Sequence, residues 1–212
     1  HHHFSFADYH DPARTNWGHL RVWNDDAIAP NSGFPPHPHR DMEIITYVRE
    51  GAISHRDSLG NSGRTEAGDV QVMSAGSGIQ HSEYNLESET TRLFQIWIFP
   101  DVRGGTPSWG TRPFPKSDRA GRFVTLASGM RGDEDALPIR TNARVAGATI
   151  KAGESVKYAT ASERHAYLVP ATGRIRVDGV EANARDGVAI TGVDSFTINA
   201  LEDSEIVLVD AV

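Results

Sequence analysis

Two short triplets carry the chemistry of this chain. His37-Pro38-His39 and His81-Ser82-Glu83 each set two metal-type ligands at positions i and i+2. On an extended strand such side chains share one face, about 6.6–6.8 Å apart along the backbone. Two imidazoles at that spacing can lean onto one ion, and a second strand with the same pattern supplies two more ligands. Three neutral nitrogens and one carboxylate oxygen suit a divalent first-row transition metal such as iron, manganese, nickel, copper or cobalt. The expected ligands are His37, His39 and His81 with one carboxylate, from Glu83 or from Glu43. Glu43 is a candidate because it lies an even number of positions from both His37 and His39, so an unbroken strand would turn it to their face. Four protein ligands leave one or two positions open on a five- or six-coordinate ion, as a Lewis acid that gathers a substrate and oxygen requires.

The elements that must hold these residues are strands. Gly33-Phe34-Pro35-Pro36 forces an extended approach to the first triplet, because proline disfavours helix in itself and in the residue before it. Ala75-Gly76-Ser77-Gly78-Ile79-Gln80 reads as a tight turn that swings the second triplet over the first. Glycine and proline punctuate the chain roughly every eight to twelve residues, and the runs between them, such as Ile44–Val48, Leu93–Ile98, Ala166–Val169 and Glu205–Val209, are short and β-branched or aromatic. That pattern predicts an all-β protein, an antiparallel sandwich or barrel. An internal repeat pairs Tyr47–Ile53 and Gly68–Val72 with Tyr167–Ile175 and Asp186–Ile190. Two copies of one β-barrel are therefore expected, residues 1–115 and 122–212, joined by a polar, proline-containing stretch from about Thr106 to Gly121. The second copy has Glu154-Ser155-Val156-Lys157-Tyr158 and Gly192-Val193-Asp194-Ser195-Phe196 where the first has its triplets, and His165 is its lone histidine. It reads as a structural barrel without metal ligands. His55 reads as a polar barrel residue, and His10 and His19 as structural parts of an N-terminal arm. His1-His2-His3, a tag remnant or native sequence, are assigned no function; if native, they imply that the start of the chain lies further upstream.

Composition narrows the function. With 212 residues the chain has enough length for a hydrophobic core, and it contains no cysteine for disulfides or thiolate ligands. Its apolar runs are too short to span a bilayer and no secretory signal is visible, so a cytoplasmic location is expected. A net charge of −7 without a basic run argues against direct nucleic-acid binding. Phosphate loops, dinucleotide fingerprints and nucleophile elbows are absent.

The triplets also sit in familiar text. His37-Pro38-His39-Arg40-Asp41-Met42-Glu43 resembles the first cupin motif, and Gly68 through Asn85 resembles the second. With Phe4–Tyr9, Leu20–Asp26, Gly51–Asn61 and Phe94–Ile98, the chain resembles the pirin family of cupins, densely to about residue 100 and more loosely to the end. The resemblance implies a bicupin, two double-stranded β-helix barrels in one chain. It favours Glu83 over Glu43 as the carboxylate ligand and leaves Glu43 to orient a ligand imidazole or to face solvent. Bacterial members that act as quercetin 2,3-dioxygenases imply a metal-dependent oxidoreductase that takes a phenolic substrate and O2, with iron as the first metal expected and manganese, nickel, cobalt, copper or zinc as alternatives. On this reading Glu83 is also the catalytic base. Pirin itself, a metal-dependent nuclear co-regulator, implies a protein-binding module without turnover as the alternative, and a third reading is a cupin enzyme acting on another small molecule.

Overall fold

Strand-forming runs separated by glycine and proline turns fold into nineteen strands and a single 3-10 turn, Lys116–Arg119, in the computed structural model, which describes residues 1–212. The chain divides into two units. The first comprises His1–Asn16, Leu20–Phe114 and Leu137–Thr141; the second comprises Trp17–His19, Pro115–Ala136 and Asn142–Val212. No helix is long and apolar enough to cross a membrane.

In the first unit, β1 (Leu20–Ile28), β8 (Thr91–Ile98), β3 (Glu43–Glu50), β6 (Val70–Ser74) and β9 (Ser108–Arg112) form one antiparallel sheet in that order. β2 (Ser32–His39), β7 (Ile79–Asn85), β4 (Ala52–Asp57) and β5 (Ser62–Glu66) form the other. β9 corrects the expectation of a plain connector from Thr106 to Gly121. Trp109 lies opposite Met73 and Thr111 opposite Gln71, so this stretch completes the first sheet. Polar composition hid the strand, because a sheet edge needs only one apolar face.

Register sorts the inward face of the five-stranded sheet into three layers, since residues directly opposite each other share a face. Val48 and Leu93 make one apolar layer and pack with Ile28 and with Ile53 of β4. Trp97, Ile44, Met73 and Trp109 make another, capped by Ala75 and Ile79. Between them runs a polar row of five, Asn24, Gln95, Thr46, Gln71 and Thr111, one from each strand. The apolar layers hold the two sheets together at about 1.5–3 kcal/mol for each large side chain buried. The polar row leaves hydrogen-bonding groups pointing at whatever the other sheet presents.

The turn before β7 is fixed by Gly76, whose φ is +50° and where a Cβ would lie 2.4 Å from the carbonyl oxygen of Gly105. A side chain here would meet both the left-handed backbone penalty and a backbone clash.

The second unit repeats the plan. Apart from the two-residue β11 (Leu137–Pro138), which belongs to the first unit, its strands are β10 (Val124–Ser128), β12 (Ala143–Ile150), β13 (Ser155–Ala159), β14 (His165–Thr172), β15 (Ile175–Val177), β16 (Val180–Ala182), β17 (Val188–Thr191), β18 (Ser195–Ala200) and β19 (Ser204–Ala211). They form one sheet in the order β10-β12-β19-β14-β17 and another in the order β13-β18-β15-β16. Its interior is filled by Tyr158, Leu168, Phe196, Ile198 and Leu208, an apolar cluster at the place where the first unit keeps polar groups. The bicupin architecture expected from the sequence is the one observed.

Candidate metal centre

β2 and β7 pair antiparallel with His37 directly opposite His81. The two proline peptides keep β2 extended, and a register shift between Phe34 and His37 adjusts the strand just before the ligands. The outcome is a convergence of three imidazoles. Ligand nitrogens of His37, His39 and His81 all lie within 4.8 Å of one another. His81 Nε2 is 3.0 Å from His37 Nε2. The Nδ1 of His37 lies 2.7 Å from the carbonyl oxygen of Pro35. A carbonyl can only accept, so Nδ1 donates, and in the neutral ring Nε2 is left as a bare lone pair. His39 stands edge-on to Trp97 at 5.0 Å, which fixes its ring.

The electrostatics suit metal binding. Burial holds His39 down at about 4, helped by the neighbouring His37, and burial with the adjacent His37 and His39 holds His81 down at about 3. These two rings are therefore neutral at physiological pH, and neutral imidazole is the form that ligates. Three imidazoles around one point, two of them less than fully buried, fit a divalent transition ion.

Glu83 enters from beside His81. Its carboxylate, His81 and His55 form a second cluster with ligand atoms within 4.8 Å, and Glu83 lines the same cavity as the three histidines. It is almost wholly buried and reached by the polar row of the opposite sheet: Gln71 Nε2 donates to Oε1 at 2.5 Å, Gln95 Nε2 to Oε2 at 2.6 Å, and Thr46 Oγ1 to Oε1 at 3.3 Å. Gln71 is itself anchored by Thr65 Oγ1, which donates to its carbonyl oxygen at 3.1 Å. Burial pushes the Glu83 carboxyl up to about 7, against the pull of these donors. Glu83 thus stands beside His81 and His55 and is not grouped with His37 and His39, the other two imidazoles of the first cluster.

Glu43 behaves otherwise than either role suggested for it. β2 ends at His39 and β3 begins at Glu43 in the other sheet, with Asp41 at φ +50° between them, so the even spacing does not carry across. Glu43 is buried, accepts from Ser74 Oγ at 2.5 Å and from the Arg140 amide at 3.1 Å, and touches neither a ligand imidazole nor solvent.

The histidines open onto a cavity of about 390 Å³ walled by Phe6, Phe34, Ile44 and Trp97, with Asn24, Asp26 and His2 adding polar groups. His2, to which the sequence assigns no function, is bridged to Asn24, with Nδ1 2.8 Å from Asn24 Oδ1, and packs 5.2 Å from Phe6. Burial raises the carboxyl pKa of Asp26. Sequence reasoning missed Gln71, Gln95 and Thr46 as well. The signal was there in part: a glutamine or threonine at an inward position of an otherwise apolar strand breaks the alternation for a reason.

Two β-barrels in one chain, the first enclosing a His/Glu cluster that could hold a metal ion, define a cupin-type protein. A Pirin family model matches residues 1–98, and a model described as quercetinase C-terminal cupin domain matches residues 125–211. A pirin-like protein of Caulobacter vibrioides is 70% identical over 210 residues, covering 99% of this chain and 90% of that one. A protein of Escherichia coli K12 named quercetin 2,3-dioxygenase is 40% identical over 210 residues, covering 99% and 89%. The crystal structure of the bacterial pirin YhhW from Escherichia coli in complex with nickel(II) superposes with a TM-score of 0.92 at 39% identity, covering 99% and 90%. The chain belongs to the pirin family.

Proposed function

We propose that this protein is a metal-dependent dioxygenase that cleaves the central ring of a flavonol such as quercetin with O2, releasing carbon monoxide and a depside. The observation that carries the reading is the site itself: three converging imidazoles, with the buried carboxylate of Glu83 beside His81, on a cavity lined in part by Phe6, Phe34 and Trp97. The cavity volume falls in the range of about 300–1,000 Å³ usual for small-molecule sites. The name of the Escherichia coli relative supports the same chemistry.

His37, His39, His81 and Glu83 would hold one divalent ion, iron, nickel or another first-row metal. When bound, it supplies Lewis acidity at the substrate oxygens and a path for electrons between the flavonol and dioxygen. The protein's own groups do the rest. Phe6, Phe34 and Trp97 clamp a planar polyphenol and exclude water from the reacting ring. Asn24, Asp26 and His2 meet its hydroxyl groups. Glu83 accepts the proton of the 3-hydroxyl on a carboxylate oxygen, and Gln71 and Gln95 keep that carboxylate aimed while its charge changes. The second barrel, filled by its own apolar cluster, would serve as structure.

Oxygen uptake with quercetin, in protein loaded separately with several divalent metals, is the primary test. Metal-dependent uptake with carbon monoxide release supports the reading, and loaded protein without uptake refutes it in favour of another substrate or a protein-binding role. Glu83→Gln should abolish turnover while leaving substantial metal bound; unchanged turnover in the metal-loaded variant removes Glu83 as the base. His37→Ala and His81→Ala should lose metal yet keep their β circular dichroism, because the apolar layers do not depend on either ring.

A further inference from the structure

His81 has two ring nitrogens, and the one facing away from His37 meets another imidazole. β4 places His55 opposite Glu83 and Asp57 opposite His81. His55 is 1% exposed and stacks flat on Trp109, with ring centroids 4.8 Å apart and planes 9° from parallel. Its Nε2 lies 3.0 Å from Asp57 Oδ2, and its Nδ1 lies 3.4 Å from His81 Nδ1.

Proton positions along this line follow from one fixed point. Asp57 is surrounded by donors: the Leu59 and Asn61 amides reach Oδ1 at 2.9 and 3.1 Å, and the Asn61 side chain reaches both oxygens. Such a carboxylate can only accept, so His55 Nε2 carries a hydrogen. With that hydrogen on Nε2, the uncharged tautomer of His55 has a bare Nδ1, and this is the atom that faces His81. Only His81 can supply the hydrogen between the two Nδ1 atoms, and this leaves His81 Nε2 bare. That atom is the one 3.0 Å from His37 Nε2, the nitrogen that the Pro35 carbonyl leaves without a hydrogen in the neutral ring. Two lone pairs at that distance repel unless a cation takes both.

We infer that Asp57 and His55 are positioning residues: through the line Asp57–His55–His81 they fix the tautomer and ring orientation in which His81 offers Nε2 to a metal ion. The inference rests on the metal-site reading of His37, His39 and His81. A carboxylate or carbonyl usually plays this part for a ligand histidine; here a second histidine is interposed, with the carboxylate behind it.

The test uses nickel(II) as probe and two substitutions at one position. His55→Leu removes the acceptor for His81 Nδ1–H and should weaken nickel(II) binding by about 10–100-fold in chelator competition. His55→Gln can accept the same hydrogen through its amide oxygen and should recover most of that loss. Long-range 1H–15N spectra of the metal-free protein read the tautomer directly: His81 should be protonated at Nδ1 in the wild type and shift to Nε2 in His55→Leu. Equal nickel(II) affinity in wild type and His55→Leu, or an Nε2-protonated His81 in the wild type, overturns the role of His55. Wild-type protein that takes up no nickel(II) at the histidines removes the metal reading on which it stands.

Discussion

Gly33→Ala should disturb the metal centre without altering any of its side chains. Gly33 lies opposite Tyr84 in the seam between β2 and β7. A Cβ at this position would stand 2.1 Å from the carbonyl oxygen of Glu83 and 2.6 Å from the Tyr84 Cα, all backbone that cannot rotate aside. Real Cβ contacts do not fall below 3.0 Å, so a gap of 2.1 Å must open by about 0.9 Å. Forcing a methyl into a closed seam costs about 1–3 kcal/mol. The same displacement acts on His37 and His81, which face each other further along this seam with nitrogens 3.0 Å apart. Binding sites tolerate only about 0.5 Å of misplacement, so nickel(II) affinity should fall by tenfold or more, about 1.4 kcal/mol or above. Urea unfolding of metal-free protein measures the first effect, and chelator competition measures the second. Unchanged stability would refute the clash. Lower stability with unchanged affinity would show that the register shift between Phe34 and His37 absorbs the movement, and that the seam does not set the ligand gap.

Two further outcomes are expected. Trp97→Ala removes an indole that stands edge-on to His39 at 5.0 Å and to Phe6 at 5.3 Å. It should destabilise the protein by about 3 kcal/mol and raise KM for a flavonol more than it lowers kcat, and an unchanged KM would separate Trp97 from the substrate wall. Glu205→Gln should flatten the pH dependence of stability. Burial pushes the Glu205 carboxyl up to about 7, so the folded state keeps a proton that the unfolded chain releases near 4.5. This contribution to stability is fully present below the unfolded value and is lost as pH rises through the folded one. The loss is on the order of 2 kcal/mol. It is reduced by the Lys116 ammonium, which lies 2.6 Å away and is 42% exposed, because that cation favours the ionised carboxylate while solvent weakens its pull. Denaturation curves at pH 5 and pH 8 that differ equally in wild type and variant would contradict it.

What the chain determines by itself is local. The alternation of a strand settles which neighbours share a face, so the pairing of His37 with His39 and of His81 with Glu83 could be read directly, and with it the all-β fold and the repeat of two barrels. Proline before one triplet and Gly76 before the other fix the backbone within a few residues, and these too are sequence properties. The tertiary structure decided everything that depends on register between strands. Glu43 left the site because the chain changes sheet between His39 and Glu43, a step that even spacing cannot report. Gln71, Thr46 and Gln95 reached Glu83 because β6, β3 and β8 align in one row facing it. His55 came to stand behind His81, and His2 at the cavity wall, by the same kind of pairing. Cross-strand register is set by the packing of whole apolar layers, in which each residue's partner is distant in sequence, so no short window contains the answer.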